Sequence, residues 1–213
     1  MSGIRKTFMA AIAAAVVSAS CHAGFVNTYT SQANFLAAAG PTSFESFEGV
    51  ANGTNLPLTI AGNTFSTDNT SYGSFNGINS LLSVTGSQSL RYGADSGDSL
   101  FINLNPGVYA FGIWIGDFGT TGGNPVLTFK LQDGSSVTAN AGGASQFAFF
   151  GATFNMAVTD VTFTTTGGGS GDGIYFDDMY YGGNPVPEPA SLALWGLGAL
   201  GACVYTRRRR RQA

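Results

Sequence analysis

The sequence is poor in the residue types that do most enzymatic work. Its 213 residues include 2 cysteines and 1 histidine. Cys21 and His22 close an N-terminal apolar segment, and Cys203 lies in a C-terminal one. The body between them has neither. That excludes a disulfide framework there, a Cys or His metal site, and thiol or His-assisted nucleophilic catalysis. Charge is scarce too, at 10% of residues. Basic residues gather at the ends, as Arg5 and Lys6 and then Arg207 to Arg211, with only Arg91 and Lys130 between. All twelve acids fall from Glu45 to Glu188. That stretch therefore sets twelve acids against two bases, about −10, behind a formal total of −3. It offers no cationic surface to neutralise phosphates, which excludes nucleic acid as a partner. Calcium and neutral glycans remain compatible with it.

The two ends read as targeting segments. Met1 to Ala23 has the layout of a secretory signal helix: Arg5 and Lys6, an apolar run from Phe8 to Val17, and small residues before a cleavage point after Ala23. Lipidation of Cys21 is the alternative, but Ser18 stands where such signals carry a larger aliphatic residue. At the other end, residues 190–206 are uncharged and largely apolar, about 25 Å as a helix, at the low end of a membrane span. Arg207, Arg208, Arg209, Arg210 and Arg211 follow. The positive-inside rule keeps them cytoplasmic and puts the body outside.

Val186-Pro187-Glu188-Pro189-Ala190-Ser191, then the apolar run, then the arginines, closely resembles the PEP-CTERM sorting signal of exported Gram-negative proteins. The resemblance spans Val186 to Arg211. It implies recognition at Pro187, Glu188 and Pro189 by an exosortase, after passage through the export machinery and cleavage by signal peptidase. It also implies a transient stay in the inner membrane and a mature form at the cell surface or in the matrix, associated with exopolysaccharide and biofilm. The same region also goes under an ice-binding-protein C-terminal label, which names the tail and says nothing of ice.

Between these ends, residues 24–184 read as one β-rich body. Glycine, serine, threonine and asparagine separate short apolar runs. One helix is predicted over Thr30 to Ala39, capped by Ser31 and stopped by Gly40-Pro41. Strands are predicted at 42–47, 56–60, 81–85, 89–92, 100–104, 108–115, 126–131, 146–150, 158–165 and 174–181, with turn signals at Asn52-Gly53, Asn105-Pro106-Gly107 and Asp133-Gly134. Many strands, one helix and no strand–helix alternation predict an all-β fold: a single jelly-roll-like β-sandwich with a short N-terminal helix, plus the signal helix and the transmembrane helix.

Two stretches place carboxylates inside apolar strands: Phe44-Glu45-Ser46-Phe47-Glu48-Gly49, and Ile174-Tyr175-Phe176-Asp177-Asp178-Met179-Tyr180-Tyr181. Such groups must be exposed, hydrogen-bonded or on a metal. The pair resembles the calcium-stabilised carbohydrate-binding jelly rolls, with a Phe-Glu near the start and an Asp-Asp in the last strand. That resemblance implies a structural calcium on Glu48 and Asp177 or Asp178. The other reading is edge charges or turn caps. Tyr92, Tyr109 and Trp114 are sugar-contact candidates by residue type, with Trp114 weighted toward the core. No catalytic residue is assigned. The expected function is a non-enzymatic surface or matrix protein that holds exopolysaccharide. A calcium-stabilised carbohydrate-binding module is the alternative, and a glycoside-acting carboxylate pair drawn from Glu45, Glu48, Asp177 and Asp178 is the weaker one.

Overall fold

The computed structural model describes residues 25–69, 76–94, 97–116, 124–141, 147–166 and 172–184, with Gly198. The signal helix, the cleavage point at Ala23, the Pro-Glu-Pro box, the transmembrane helix and the arginine run lie outside these residues. Among the described residues no helix is long and apolar enough to cross a membrane.

The compact body spans Ala23–Val186. Its elements in chain order are β1 (Phe25–Tyr29), α1 (Gln32–Ala39), β2 (Thr42–Glu45), β3 (Leu58–Ile60), β4 (Asn63–Thr67), β5 (Gly77–Asn79), β6 (Ser89–Ala94), β7 (Ser99–Gly116), β8 (Asn124–Leu131), β9 (Ser136–Asn140), β10 (Ala148–Thr166) and β11 (Asp172–Gly182). All pairings are antiparallel. The hydrogen-bonded network folds into two layers because β7 and β10 each run through both. Their Ala110–Ile115 and Ala148–Thr153 stretches pair in the first layer, with β11 and then β6 and β5 on one side and β1 on the other. Their Ser99–Asn103 and Asp160–Thr164 stretches pair in the second, between β4 and β8, with β3 and β9 outermost.

This corrects the separate strands expected on either side of Asn105-Pro106-Gly107 and after Phe150. Those turn residues bend a continuous strand at the sandwich corner instead of reversing it. Gly107 takes φ 86, and β10 answers with register shifts between Thr153 and Asp160. Bends and bulges are how one strand serves two packed sheets.

Rings from the two layers meet in the core. Phe163 crosses Phe176 edge-on at 4.8 Å, and Phe129 packs on Phe111, Phe150 and Phe154. Period-two alternation puts Leu127, Phe129, Val161 and Phe163 inward, as expected for these strands.

The helix covers part of the first layer's outer face. Ser31 Oγ accepts the Asn34 N–H at 3.5 Å, and Gly40, at φ 73, closes the helix with its N–H on the Leu36 carbonyl. Fully buried Phe35 lies over Gly112 and Gly151, where an added Cβ would sit 2.8 and 2.6 Å from its ring. The two glycines are therefore the floor on which the helix rests. Gly151→Ala is expected to cost about 2 kcal/mol by overpacking, roughly 6 °C in a thermal melt. An unchanged melt would mean Phe35 is not seated there.

The predicted strand at 81–85 is a loop. The Leu81 N–H goes to the Asn79 side chain and those of Val84 and Thr85 to a carboxylate instead of a ladder, and this loop leads to the candidate site.

Candidate functional site

The acids flagged in the sequence converge on the segment Leu81–Gln88. Glu48 Oε1 accepts the N–H of Ser87 at 2.7 Å and of Gln88 at 2.6 Å, and Ser87 Oγ reaches Oε2 at 3.2 Å. Asp177 Oδ2 accepts the N–H of Val84 at 2.6 Å and of Thr85 at 3.1 Å. Asp178 Oδ1 accepts the Thr85 hydroxyl at 2.6 Å. Gly86, at φ 64, passes so close to Glu48 that a Cβ there would lie 2.4 Å from Oε1. Glu45 turns inward on its own segment, its Oε1 accepting the Phe47 N–H at 2.7 Å.

Successive residues of a regular strand face opposite ways, so Asp177 and Asp178 should not both reach Thr85. A bulge makes it possible. The β11–β7 register shifts between Asp177 and Tyr180, and Asp178 sits in the left-handed region at φ 46. That conformation costs an ordinary L-residue about 1–2 kcal/mol, and aspartate tolerates it better than most. The Asp178 N–H donates to Asp177 Oδ1 at 2.8 Å, which ties the bulge to the acid it presents.

Burial raises the Asp177 carboxyl to about 6, against the pull of the Val84 and Thr85 N–H groups. Glu48 is held below its ordinary range by the Ser87 and Gln88 N–H groups.

A calcium shared by Glu48 and Asp177 or Asp178 would have to draw on carboxylates that already accept hydrogen bonds from the chain. A calcium ion takes six to eight oxygens. Glu48 and Asp177 hold neighbouring dipeptides of the loop, Ser87-Gln88 and Val84-Thr85, and each already receives backbone N–H groups. Among the described residues no three acidic, His or Cys side chains converge on one point. The positive counterpart of these acids is backbone N–H. These hydrogen bonds form a clasp between distant segments.

The sugar-contact candidates separate. Tyr92 is 0% exposed and belongs to the sandwich core, so it is corrected to a packing residue: its strand turns it inward beside Leu90. Tyr109 is half-buried near the corner. Trp114 is half-buried on the outer face of the first layer, beside the helix. Its ring packs edge-on against Phe149 at 5.6 Å, and its Nε1 donates to Gln32 Oε1 at 3.2 Å. Gln32 in turn donates through Nε2 to the Tyr180 hydroxyl. Phe44, 51% exposed, lies 4.9 Å from the Tyr180 ring and extends the patch into solvent. Sequence reasoning missed Gln32, Phe44 and Tyr180, because only the register Tyr180↔Phe44 and the docked helix bring them together.

A PEP-CTERM protein-sorting motif matches residues 185–211. The motif implies processing by an exosortase, and proteins that carry it are exported and sorted to the cell surface. No curated protein matches the chain. Among solved structures, the chain is similar to the C-terminal family 22 carbohydrate-binding module of Clostridium thermocellum Xyn10B, at 14% identity and TM-score 0.40, over 70% of this chain and 99% of that one. It is also similar to the K2 cleaved adhesin domain of Lys-gingipain, at 13% identity and TM-score 0.41, over 66% and 99%. A third is the family 11 carbohydrate-binding module of the Clostridium thermocellum cellulase Lic26A-Cel5E, at 12% identity and TM-score 0.36, over 68% and 95%.

Proposed function

We propose that this exported, exosortase-processed chain is a non-enzymatic surface or extracellular-matrix protein whose β-sandwich holds exopolysaccharide. The observation that carries the reading is the Trp114–Gln32–Tyr180 set with Phe44 beside it. Aromatic faces accept the C–H side of a sugar ring, and an adjacent amide and phenol meet its hydroxyls. The ring nitrogen, amide and hydroxyl already bond one another, so the patch is pre-organised and loses little freedom on binding.

The non-enzymatic half of the reading draws on the acids. Glu45, Glu48, Asp177 and Asp178 all accept hydrogen bonds from the chain itself. A glycoside-cleaving pair has to face a substrate instead.

Affinity electrophoresis of the exported protein through gels holding the producing cell's exopolysaccharide tests this. Phe44→Ala and Gln32→Ala should each weaken retardation about tenfold, or 1.4 kcal/mol, with the melt unchanged. Equal retardation of both variants would remove the patch. A wild-type protein that is not retarded at all would remove the ligand class.

A further inference from the structure

The outer face of the second layer is built differently from the aromatic patch on the opposite side of the sandwich. Strand register aligns one row across five strands: Ser66, Phe101, Thr162, Thr128 and Thr138. The residues between them along each strand, such as Phe65, Ile102, Val161 and Phe129, are buried in the core, so the row points outward. Thr162, Thr128 and Thr138 set three hydroxyl-bearing side chains on adjacent strands about 4.8 Å apart, and Ser66 lies beyond Phe101 in the same row. Threonine is stiff at χ1, so this lattice of hydroxyls and methyls is largely fixed before any contact. Phe101, 38% exposed, adds an apolar tile in the same row.

A solvated protein surface carries roughly a quarter to a third charged residues. Among the described residues, Lys130 and Asp160 lie within this face and meet at 3.9 Å, and exposed Asp68 stands at its rim beside Ser99, its Oδ1 accepting the Ser99 N–H at 2.7 Å. Asp160 is further tied by Asn103 Nδ2 and the Thr159 hydroxyl, each at 2.8 Å. The middle of the face thus holds only a paired charge, and its rim adds an acid to a strongly acidic body. That body repels an anionic polymer, and the face has no unpaired cation to attract one. An uncharged, hydroxyl-covered partner meets neither obstacle. An extended sheet face also offers broad, repeated contact, whereas a single soluble oligosaccharide is held in a concave site.

We propose that this face is an adsorption surface for a solid, neutral polysaccharide, separate from the Trp114 patch. It takes from the exopolysaccharide reading only the chemical class of partner. The test is depletion of the exported protein from solution by microcrystalline cellulose and by crystalline chitin. Wild type should adsorb to at least one solid. Thr128→Lys with Thr162→Lys should weaken that adsorption at least tenfold, and Phe44→Ala should leave it within twofold. Thr138→Lys, exposed on the edge strand β9, decides the matter if the double variant melts early. Wild type left in solution with both solids overturns the proposal, as do lysine variants that adsorb like wild type. Loss of adsorption through Phe44→Ala overturns it too, since the aromatic patch would then be the adsorbing site. Loss of retardation in soluble exopolysaccharide with adsorption intact would instead count against the patch alone.

Discussion

Replacing Pro187, Glu188 and Pro189 by alanine leaves the C-terminal tail on nearly all of the protein, and intact-mass measurement of cell fractions reports it. The two prolines fix φ and push their preceding residues toward extended backbone, a form a protease can thread. Alanines allow the flanking apolar run to wind up through the box. The tail then persists as an uncharged run of 17 residues, 190–206, with five arginines behind it, and holds the chain in the membrane fraction. Deleting the exosortase should give the same species. Tail removal that continues in either strain would sink exosortase processing at this motif.

The second large effect falls on the clasp. Asp177→Ala leaves the N–H groups of Val84, Thr85 and Asp178 without their acceptor. An unmet buried donor costs about 1–3 kcal/mol, and relief of the buried charge returns part of it. A net loss of about 3 kcal/mol, near 9 °C in the melt, is expected. Asp177→Asn keeps one carbonyl acceptor and sheds the charge, so at pH 7 it should stay within about 1 kcal/mol of wild type. A chelator should leave the wild-type melt within about 1 °C, because a bound ion would otherwise add its binding energy to stability. A large drop would establish a structural calcium.

The pH dependence separates the two acids. The Asp177 carboxyl is raised to about 6 in the fold, so the native state keeps a proton that the unfolded chain gives up. Its stabilising share is fully present below about pH 4 and gone once pH has risen through 6. Glu48 is depressed, and its share is present above its ordinary value of 4.5 and lost as pH falls through its folded value. The melt should therefore rise from pH 7 to pH 5 in wild type, and this rise should vanish in Asp177→Asn. A flat wild-type profile would contradict the burial of a titrating Asp177.

Much of the fold was legible because core alternation is a local signal. Leu127, Phe129, Val161 and Phe163 face inward as their period requires, and Ser31 caps the helix it precedes. The short strands β4 and β5 left too few residues to show a period. The corner at Asn105-Pro106-Gly107 carries ordinary turn chemistry. Whether such residues reverse a strand or bend it depends on what pairs beyond them, here the uninterrupted partner β10. At the site, an Asp-Asp pair inside an apolar strand announced that something must satisfy those acids. It could not announce the answer, because the donors lie about ninety residues away on Val84 and Thr85. Tyr92 was misread since residue type alone does not tell which side of a strand faces the core.

The strand β11 leads directly toward the sorting tail, and it lies inside its layer, bonded to β7 on one flank and to β6 and β2 on the other. A tensile load entering from the C-terminal side therefore runs along an enclosed strand. It must shear two ladders together, where an edge strand such as β9 would peel one bond at a time. The same pull applied to β9 would meet one ladder, β8, in place of two.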